Sequence, residues 1–291
     1  MVPSTAMTDA NASTVEAWNT VLFEKFIRFR HVVTRGLRSH GDAAIERHPP
    51  TVGSRVLDLG SGFGDTTQQL AEHVGPQGEV VGVDCAERFV RLAEKEATAA
   101  GRNNVRFLVA DAQTDDLKGP YDSAFSRFGT MFFASAVAAL RNIRRSLKPG
   151  GQLTMVCWRK REDNEFVHAA EVRVRAVVPA RQGSGEPTCG PGPFSMADEE
   201  RVKSYLLAAG FSHPTLDRFD ADIRIGDDLS DAVECAMALG PAGEVLRLAG
   251  REAEALRPRV LQALNEALSP FLRQGGVFAR SSSWIISARA A

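Results

Sequence analysis

The chain has few cysteines and no surplus of positive charge. Its four cysteines form no C-x-x-C pair, which argues against a zinc site and a disulfide framework and fits a reducing compartment. Thirty-five Lys and Arg residues are matched by 36 Asp and Glu residues, so no basic excess is available to attract nucleic acid. We therefore expect neither a metal ion nor a nucleic acid among the ligands.

Long apolar runs are also missing. No uninterrupted stretch approaches the roughly 18 apolar residues of a membrane span, and residues 1 to about 13 lack the apolar centre of a signal peptide. We expect this first segment to be disordered. The 291 residues, 44% of them hydrophobic and 24% charged, predict a cytoplasmic α/β protein without a membrane span.

The rest of the chain is organised around a glycine-rich turn. Val56 to Leu59 predicts a short buried strand, and Gly60, Gly62 and Gly64 follow it at alternate positions before a helical segment. A strand, a glycine turn and a helix form the opening unit of a doubly wound sheet. The glycines let the backbone approach a ligand closely, and the N-terminus of the helix offers unpaired N–H groups to an anion. The spacing is not the G-x-G-x-x-G of a dinucleotide site. Asp58 would repel a pyrophosphate, but its carboxylate suits the ammonium of an amino-acid group.

This stretch resembles the first motif of the class I S-adenosylmethionine (SAM) methyltransferases. Further along, the segments 126–133, 147–151 and 158–159 resemble the ubiquinone/menaquinone-biosynthesis C-methyltransferases, the methyltransferase type 11 branch. The resemblance covers roughly residues 55–160 strongly and the remainder only loosely. It implies a Rossmann-like seven-stranded sheet with helices on both faces, an N-terminal helical cap and a helical insertion before the last strand.

Two acidic residues at predicted strand ends are candidate contacts to the cofactor. Asp84 ends the second strand, 20 residues after Gly64, where an acid can accept both ribose hydroxyls; the alternative is a helix cap. Asp111, followed by Ala112, ends the third strand. The resemblance implies that it accepts from the adenine amine, and the alternative is a solvated turn acid.

An aromatic stripe precedes the first strand. Trp18, Leu22 and Phe26 recur at helical spacing between Thr14 and about Arg47. Core packing is one interpretation, and the resemblance implies another, in which this helix closes over the SAM pocket. Gly36 and Gly41 are predicted to interrupt the helical region.

The second half of the chain predicts the last strands and the elements that select the substrate. Strand five is predicted over Gln152 to Trp158, strand six over Thr215 to Ile225 and the last strand over Ser283 to Ala288. Between the last two lies a helical insertion, Leu229 to Leu268, interrupted at Gly240. A Gly/Pro-rich loop, Gly183 to Pro193, is a candidate lid. We divide the single domain into residues 1–50 (tail and cap), 51–160 (SAM-binding core) and 161–291 (lid, substrate elements and last strands).

The expected cofactor-binding residues are Trp18, Asp58, Gly60, Ser61, Gly62, Gly64, Asp84, Cys85, Asp111, Ala112 and Ser126. The catalytic residue remains open, with His31, Glu165 and His168 as candidate bases and Arg127 as a residue that orients an acidic substrate or pairs with a carboxylate. Apolar pocket candidates are Met131, Phe132, Trp158, Phe166 and Phe194, for which core packing is the alternative.

The function predicted from these observations is transfer of a methyl group from SAM (EC 2.1.1), leaving S-adenosylhomocysteine, to an O, N or C atom of a small aromatic or apolar metabolite. Two alternatives stay open: a SAM-binding protein with a regulatory or other role, and an NAD(P)-dependent oxidoreductase, which the glycine spacing disfavours. Sequence leaves open whether the chain forms a homodimer.

Overall fold

The computed structural model describes residue 12, residues 14–179 and residues 192–291. The predicted disordered tail lies almost wholly outside these ranges, and so does the candidate lid up to residue 191. Within them, no helix is long and apolar enough to cross a membrane.

Two sets of elements build the described part of the chain. Its strands are β1 (Arg55–Leu59), β2 (Glu79–Asp84), β3 (Val105–Val109), β4 (Tyr121–Arg127), β5 (Leu147–Trp158), β6 (Phe211–Gly226), β7 (Leu272–Arg273) and β8 (Gly276–Ala290). Its α-helices of eight residues or more are α1 (Val21–Arg28), α2 (Arg38–Arg47), α3 (Asp65–Val74), α4 (Glu87–Ala99), α5 (Ala136–Ser146), α6 (Glu165–Val177), α7 (Glu199–Ala208), α8 (Leu229–Leu239), α9 (Pro241–Leu248) and α10 (Ala253–Leu268).

The strands form one sheet in the order β3-β2-β1-β4-β5-β8-β6, with β7 paired to β8. The pairs from β3 through β5 are parallel, whereas β8 runs antiparallel to both β5 and β6. This arrangement confirms the predicted Rossmann-like class I fold, with the two-residue β7 as an eighth strand. The sequence order reverses between β1 and β4, and open α/β sheets bind ligands beyond the carboxyl ends of the strands at such a point.

The central strands are apolar because helices cover both faces of the sheet. Val56, Leu57 and Leu59 of β1 are at most 1% exposed. Leu140 and Ile143 of α5 lie in the core on one face, while Leu70 and Val74 of α3 lie in the core on the other. Asp58 interrupts this apolar run, so its carboxylate is buried at the point where β1 gives way to the glycine turn.

The edge hairpin of β6 and β8 extends beyond the carboxyl end of β5. Trp158, the last residue of β5, pairs with Ser283, yet β8 continues back to Gly276 and still pairs with β6. The predicted limits of strand six and the last strand were therefore too short. Strand five also begins earlier than predicted, at Leu147, because the turn at Pro149 and Gly150 is absorbed as a register shift against β4.

The projecting hairpin carries a second apolar core. Ile223 and Ile225 of β6 and Val277 of β8 pack with buried residues of α6 and of the insertion helices α8, α9 and α10. The helical insertion is confirmed, with its first break at Gly240 as predicted. The insertion packs against the part of the β6–β8 hairpin that extends beyond the carboxyl end of β5.

The N-terminal cap is helical with a π-helical turn at Val32–Gly36. Gly36 ends this turn and interrupts the helical region as predicted. Glycine is required there because a Cβ would collide with the Arg224 carbonyl oxygen. Gly41 does not interrupt the helix: it lies within α2, where a Cβ would meet Cδ of Arg127 at 2.9 Å. Glycine is needed here because it makes room for the Arg127 side chain, and not because the chain turns.

Candidate functional site

The glycine turn leaves β1 with its backbone held against β2 and β4. The Gly60 and Ser61 N–H groups both donate to the Val83 carbonyl oxygen, at 2.8 and 3.0 Å. Gly60 has φ +65°, and a Cβ there would lie 2.9 Å from Cα of Gly129. Glycine is required at this position because the two backbones touch.

The same turn leaves room beside Gly62 and Ser61. An ideal Cβ on Gly62 would meet no atom of the described chain within 4 Å. The Ser61 hydroxyl is buried and has no hydrogen-bond partner among the described residues. A polar atom left unpaired next to open space fits a polar ligand that approaches the turn.

Asp58 lies beneath this turn and is 1% exposed. Thr67 of α3 donates its hydroxyl hydrogen bond to Oδ2 of Asp58 at 2.7 Å. Burial raises the pKa of Asp58 to about 7, although the Thr67 hydrogen bond and the charge of Arg127 both favour the carboxylate. A cationic group that reached this acid would favour the ionised form.

Asp84 links the end of β2 to the glycine turn. Its Oδ2 accepts the Gly62 N–H at 3.0 Å and its Oδ1 accepts the Ala86 N–H at 2.9 Å. Burial raises the pKa of Asp84 despite these donors. Cys85 follows it with a partly buried thiol whose pKa burial raises to about 12, so the thiol is protonated at neutral pH.

The loop after β3 places Asp111 and Ala112 at the same end of the sheet. Oδ1 of Asp111 accepts the Gln113 backbone N–H at 2.9 Å. Gln113 in turn accepts the Ser135 N–H at 2.7 Å, which joins this loop to the start of α5. Ala112 is buried in the main core.

Ser126 is fully buried under the glycine turn. Its hydroxyl donates to the Leu59 carbonyl oxygen at 2.9 Å. This hydrogen bond ties β4 to β1 where the turn begins, so the hydroxyl is occupied by the protein itself.

Aromatic residues of the N-terminal cap cover the loops after β1, β2 and β4. The Trp18 ring lies 5.1 Å from the rings of Phe26 and Phe132 and 6.4 Å from that of Phe89, in edge-to-face geometry. Phe63 of the glycine turn packs in the same cluster. Trp18 therefore lies over the carboxyl end of the sheet.

The residues that end β4 and β5 form a stacked pair. The rings of Phe128 and Trp158 are 4.2 Å apart and inclined by 27°, and both side chains are partly exposed. Phe128 adopts φ +59°, which is uncommon outside glycine. Such a conformation persists where the surroundings impose it and is frequent at ligand sites.

The other predicted pocket residues have different surroundings. Phe132 contacts Trp18, whereas Met131 is only 1% exposed and accepts the Trp158 N–H on its sulfur at 3.3 Å. Phe166 packs against the insertion core, and Phe194 lies under the Arg161 guanidinium.

Two of the candidate catalytic residues are engaged by acids. Arg127 donates to Asp65 at 2.5 Å, and its side chain is 10% exposed. His31 Nε2 lies 2.7 Å from Asp231 Oδ2 of α8, so it joins the N-terminal cap to the insertion. Asp227 brings a third ligand atom to within 4.8 Å of these two, but the Asp227 carboxylate also pairs with the Arg224 guanidinium at 3.1 Å.

The remaining candidates lie on α6. His168 is exposed and lines a groove of about 310 Å³ between α6 and the end of α10, together with Arg173 and Glu266. Glu165 is the exposed first residue of α6. The structure does not bring either residue to the glycine turn by any described contact.

Sequence reasoning missed His40, which is fully buried behind the aromatic pair. Its ring lies 5.7 Å from Phe128, 5.6 Å from Trp158 and 5.3 Å from Phe219. Its ring nitrogens contact the hydroxyls of Ser281 and Ser283 of β8. The signal in the sequence is the run of three serines at 281–283, two of which precede the predicted last strand. Nothing nearby in the sequence identifies His40 as their partner.

Comparison with known proteins agrees with this geometry. Residues 50–184 match the family model described as a methyltransferase domain. Aklanonic acid methyltransferase DauC of Streptomyces sp. strain C5 is 35% identical over 114 residues, which cover 39% of this chain and 52% of that protein. Demethylmenaquinone methyltransferase of Thermus thermophilus is 32% identical over 195 residues, which cover 64% of this chain and 86% of that protein.

Solved structures confirm the fold. YcgJ from Bacillus subtilis superposes with a TM-score of 0.56 at 19% identity and covers 87% of this chain and 98% of its own. The Thermus relative is matched over 86% of its own length at 32% identity, and the strand order of the sheet is that of the class I fold. The chain therefore belongs to the class I SAM-dependent methyltransferases, in the ubiquinone/menaquinone-biosynthesis-like branch.

Proposed function

We propose that this chain methylates a small aromatic or quinone-like metabolite, bound against the stacked rings of Phe128 and Trp158. The observation that carries the proposal is the position of this partly exposed pair at the carboxyl ends of β4 and β5, next to the glycine turn. Aromatic rings stack on flat apolar ligands in offset or edge-to-face arrangements. Relatives named for demethylmenaquinone and aklanonic acid support this substrate class.

The proposed cofactor-binding residues surround the turn. Asp58 would pair with the amino group of SAM, Asp84 would accept from the ribose hydroxyls, and Asp111 would accept from the adenine amine. The unpaired Ser61 hydroxyl and the open space at Gly62 leave room for the cofactor backbone. SAM supplies a methyl group on a sulfonium, which is already activated for in-line displacement.

The contribution of the protein to the reaction is mainly orientation and exclusion of water. The aromatic cover around Trp18 and the insertion helices enclose the carboxyl end of the sheet from two sides. We assign no general base, because no described contact brings His31, Glu165 or His168 to the glycine turn. An acceptor that ionises readily, such as a phenol or an enolised ring carbon, needs none.

The test is an acceptor screen with methyl-labelled SAM. The panel contains flat phenols and quinols, aliphatic amines and aliphatic acids, and label transfer is measured together with S-adenosylhomocysteine. We expect transfer of the labelled methyl group to the phenols and quinols. Phe128→Leu should raise the acceptor KM roughly tenfold.

A matched control separates this effect from loss of stability. Phe211→Leu makes the same substitution at a buried ring near the opposite end of the sheet, where Phe211 pairs with Ala290. It should leave the acceptor KM unchanged. Transfer confined to aliphatic compounds, or equal effects of the two substitutions on KM, would overturn the proposal.

A further inference from the structure

His40 is held on both ring nitrogens by one strand. Nδ1 lies 2.8 Å from the Ser283 hydroxyl and Nε2 lies 2.7 Å from the Ser281 hydroxyl. Residues two apart on a strand face the same side, so both hydroxyls of β8 reach the ring, while that of Ser282 reaches Asp220 instead, at 2.6 Å. Both the ring and the three serines are fully buried.

The hydrogen-bond directions fix the tautomer of His40. The Ser281 hydroxyl donates to the Ala221 carbonyl oxygen at 2.8 Å, so its oxygen accepts from Nε2–H. A neutral imidazole has one N–H, and Nδ1 therefore accepts from the Ser283 hydroxyl. Burial lowers the pKa of His40 to about 4, with the charge of Arg127 acting in the same sense and that of Asp220 against it.

The fixed ring meets the acceptor-side aromatic pair from behind. Its plane stands at 76° to both Phe128 and Trp158 and at 84° to Phe219. Phe128 and Trp158 are themselves partly exposed. Rotation of the imidazole would leave the buried Ser283 hydroxyl and the Nε2–H of His40 without partners, and an unpaired buried polar group is unfavourable, so the ring resists tilting of the pair.

We propose that His40 is a positioning residue that holds the Phe128–Trp158 pair at the angle that selects the acceptor ring. The inference rests on the proposed function, in which this pair binds the acceptor. His40 itself touches neither substrate nor cofactor. Its expected influence is therefore on the KM and the choice of acceptor, and not on SAM affinity.

The experiment compares adjacent serines in the full chain. Ser283→Ala removes the hydroxyl that fixes Nδ1 of His40, and Ser282→Ala removes an equally buried hydroxyl that does not touch His40. We expect Ser283→Ala to raise the acceptor KM about threefold to tenfold with little change in kcat or in S-adenosylhomocysteine affinity. Ser282→Ala should leave the acceptor KM unchanged at a comparable loss of melting temperature.

A second variant tests whether the effect passes through the aromatic pair. In a Trp158→Leu background, the added Ser283→Ala should produce no further rise in the acceptor KM, because the stacked pair that His40 holds is already broken. Additive effects, or equal effects of the two serine substitutions, would overturn the assignment of His40. If Trp158→Leu alone leaves the acceptor KM unchanged, the proposed function fails instead, so the two failures are distinct.

Discussion

Asp84 accepts the backbone N–H of Gly62 at 3.0 Å, so the acid at the end of β2 is tied to the middle of the glycine turn after β1. The second carboxylate oxygen binds the Ala86 N–H. This one side chain therefore shapes the turn, and the proposed ribose contact is added to that structural contribution.

Asp84→Asn should weaken S-adenosylhomocysteine binding by roughly 1–3 kcal/mol, because the ribose hydroxyls lose a charged acceptor. Calorimetry measures the affinity, and thermal unfolding without ligand measures the stability lost from the turn. Asp116→Asn, which removes a charge from the exposed loop before β4, should change neither. Normal affinity in a destabilised Asp84→Asn protein would show that Asp84 only stabilises the glycine turn and does not bind the ribose.

Gly60→Ala and Gly62→Ala should differ sharply. A methyl group at Gly60 collides with the Gly129 backbone, whereas one at Gly62 meets open space and suffers only the strain of its positive φ, about 1–2 kcal/mol. We expect Gly60→Ala to fail to fold stably. Gly62→Ala should fold and lose most of its S-adenosylhomocysteine affinity, because the methyl group enters the space of the ligand. Calorimetry and circular dichroism distinguish the two outcomes, and unimpaired binding by Gly62→Ala would contradict the site.

Ligand affinity should depend on pH through Asp58, whose pKa burial raises to about 7. If the carboxylate pairs with the amino group of the ligand, the free protein must lose a proton on binding. Affinity for S-adenosylhomocysteine should then fall towards tenfold per pH unit below pH 7. Titrations between pH 5.5 and 7.5 measure this slope, and Asp58→Asn should abolish it. An equal slope in both proteins would assign the effect to another group.

The raised pKa of Asp58 affects the stability of the unliganded protein in the opposite direction from its effect on ligand affinity. The native state holds the Asp58 proton more tightly than the unfolded chain, so this contribution to stability is complete at low pH and is lost as the pH rises through about 7.

His40 should make the native state less stable in acid. Burial lowers its pKa to about 4 from the ordinary value of 6.5, so between these values the unfolded chain binds a proton that the native state does not. The contribution is complete above pH 6.5 and is lost as the pH falls towards 4, which amounts to about 2 kcal/mol at pH 5. Urea unfolding at pH 7 and pH 5 measures the effect as the difference between the wild type and His40→Gln. That difference is needed because Asp58 acts in the other direction. Identical pH dependence in both proteins would contradict a buried neutral imidazole.

The sequence predicted the cofactor half of the fold well, because its signals are local. The run before Gly60, the acids at strand ends and the helix stops each depend on a few neighbouring residues. The first strand accordingly lies within one residue of its predicted limits and β2 ends at Asp84 as predicted, whereas β3 ends at Val109, two residues before Asp111.

The substrate half was harder to predict because its polar residues are satisfied over long distances. Ser281 and Ser282 look like the end of a loop, yet each hydroxyl has a partner on another element, and β8 includes both residues. Gly41 looks like a helix break, but it makes room for Arg127 from β4. No local pattern in the sequence identifies a partner 62 or more residues away.

The most direct test of the account is a calorimetric titration of the wild-type protein with S-adenosylhomocysteine and, separately, with NAD. We expect one site of micromolar affinity for S-adenosylhomocysteine, about −8 kcal/mol, that Gly62→Ala removes, and no saturable heat with NAD. Saturation with NAD, and no heat with S-adenosylhomocysteine in a folded wild-type protein, would contradict it.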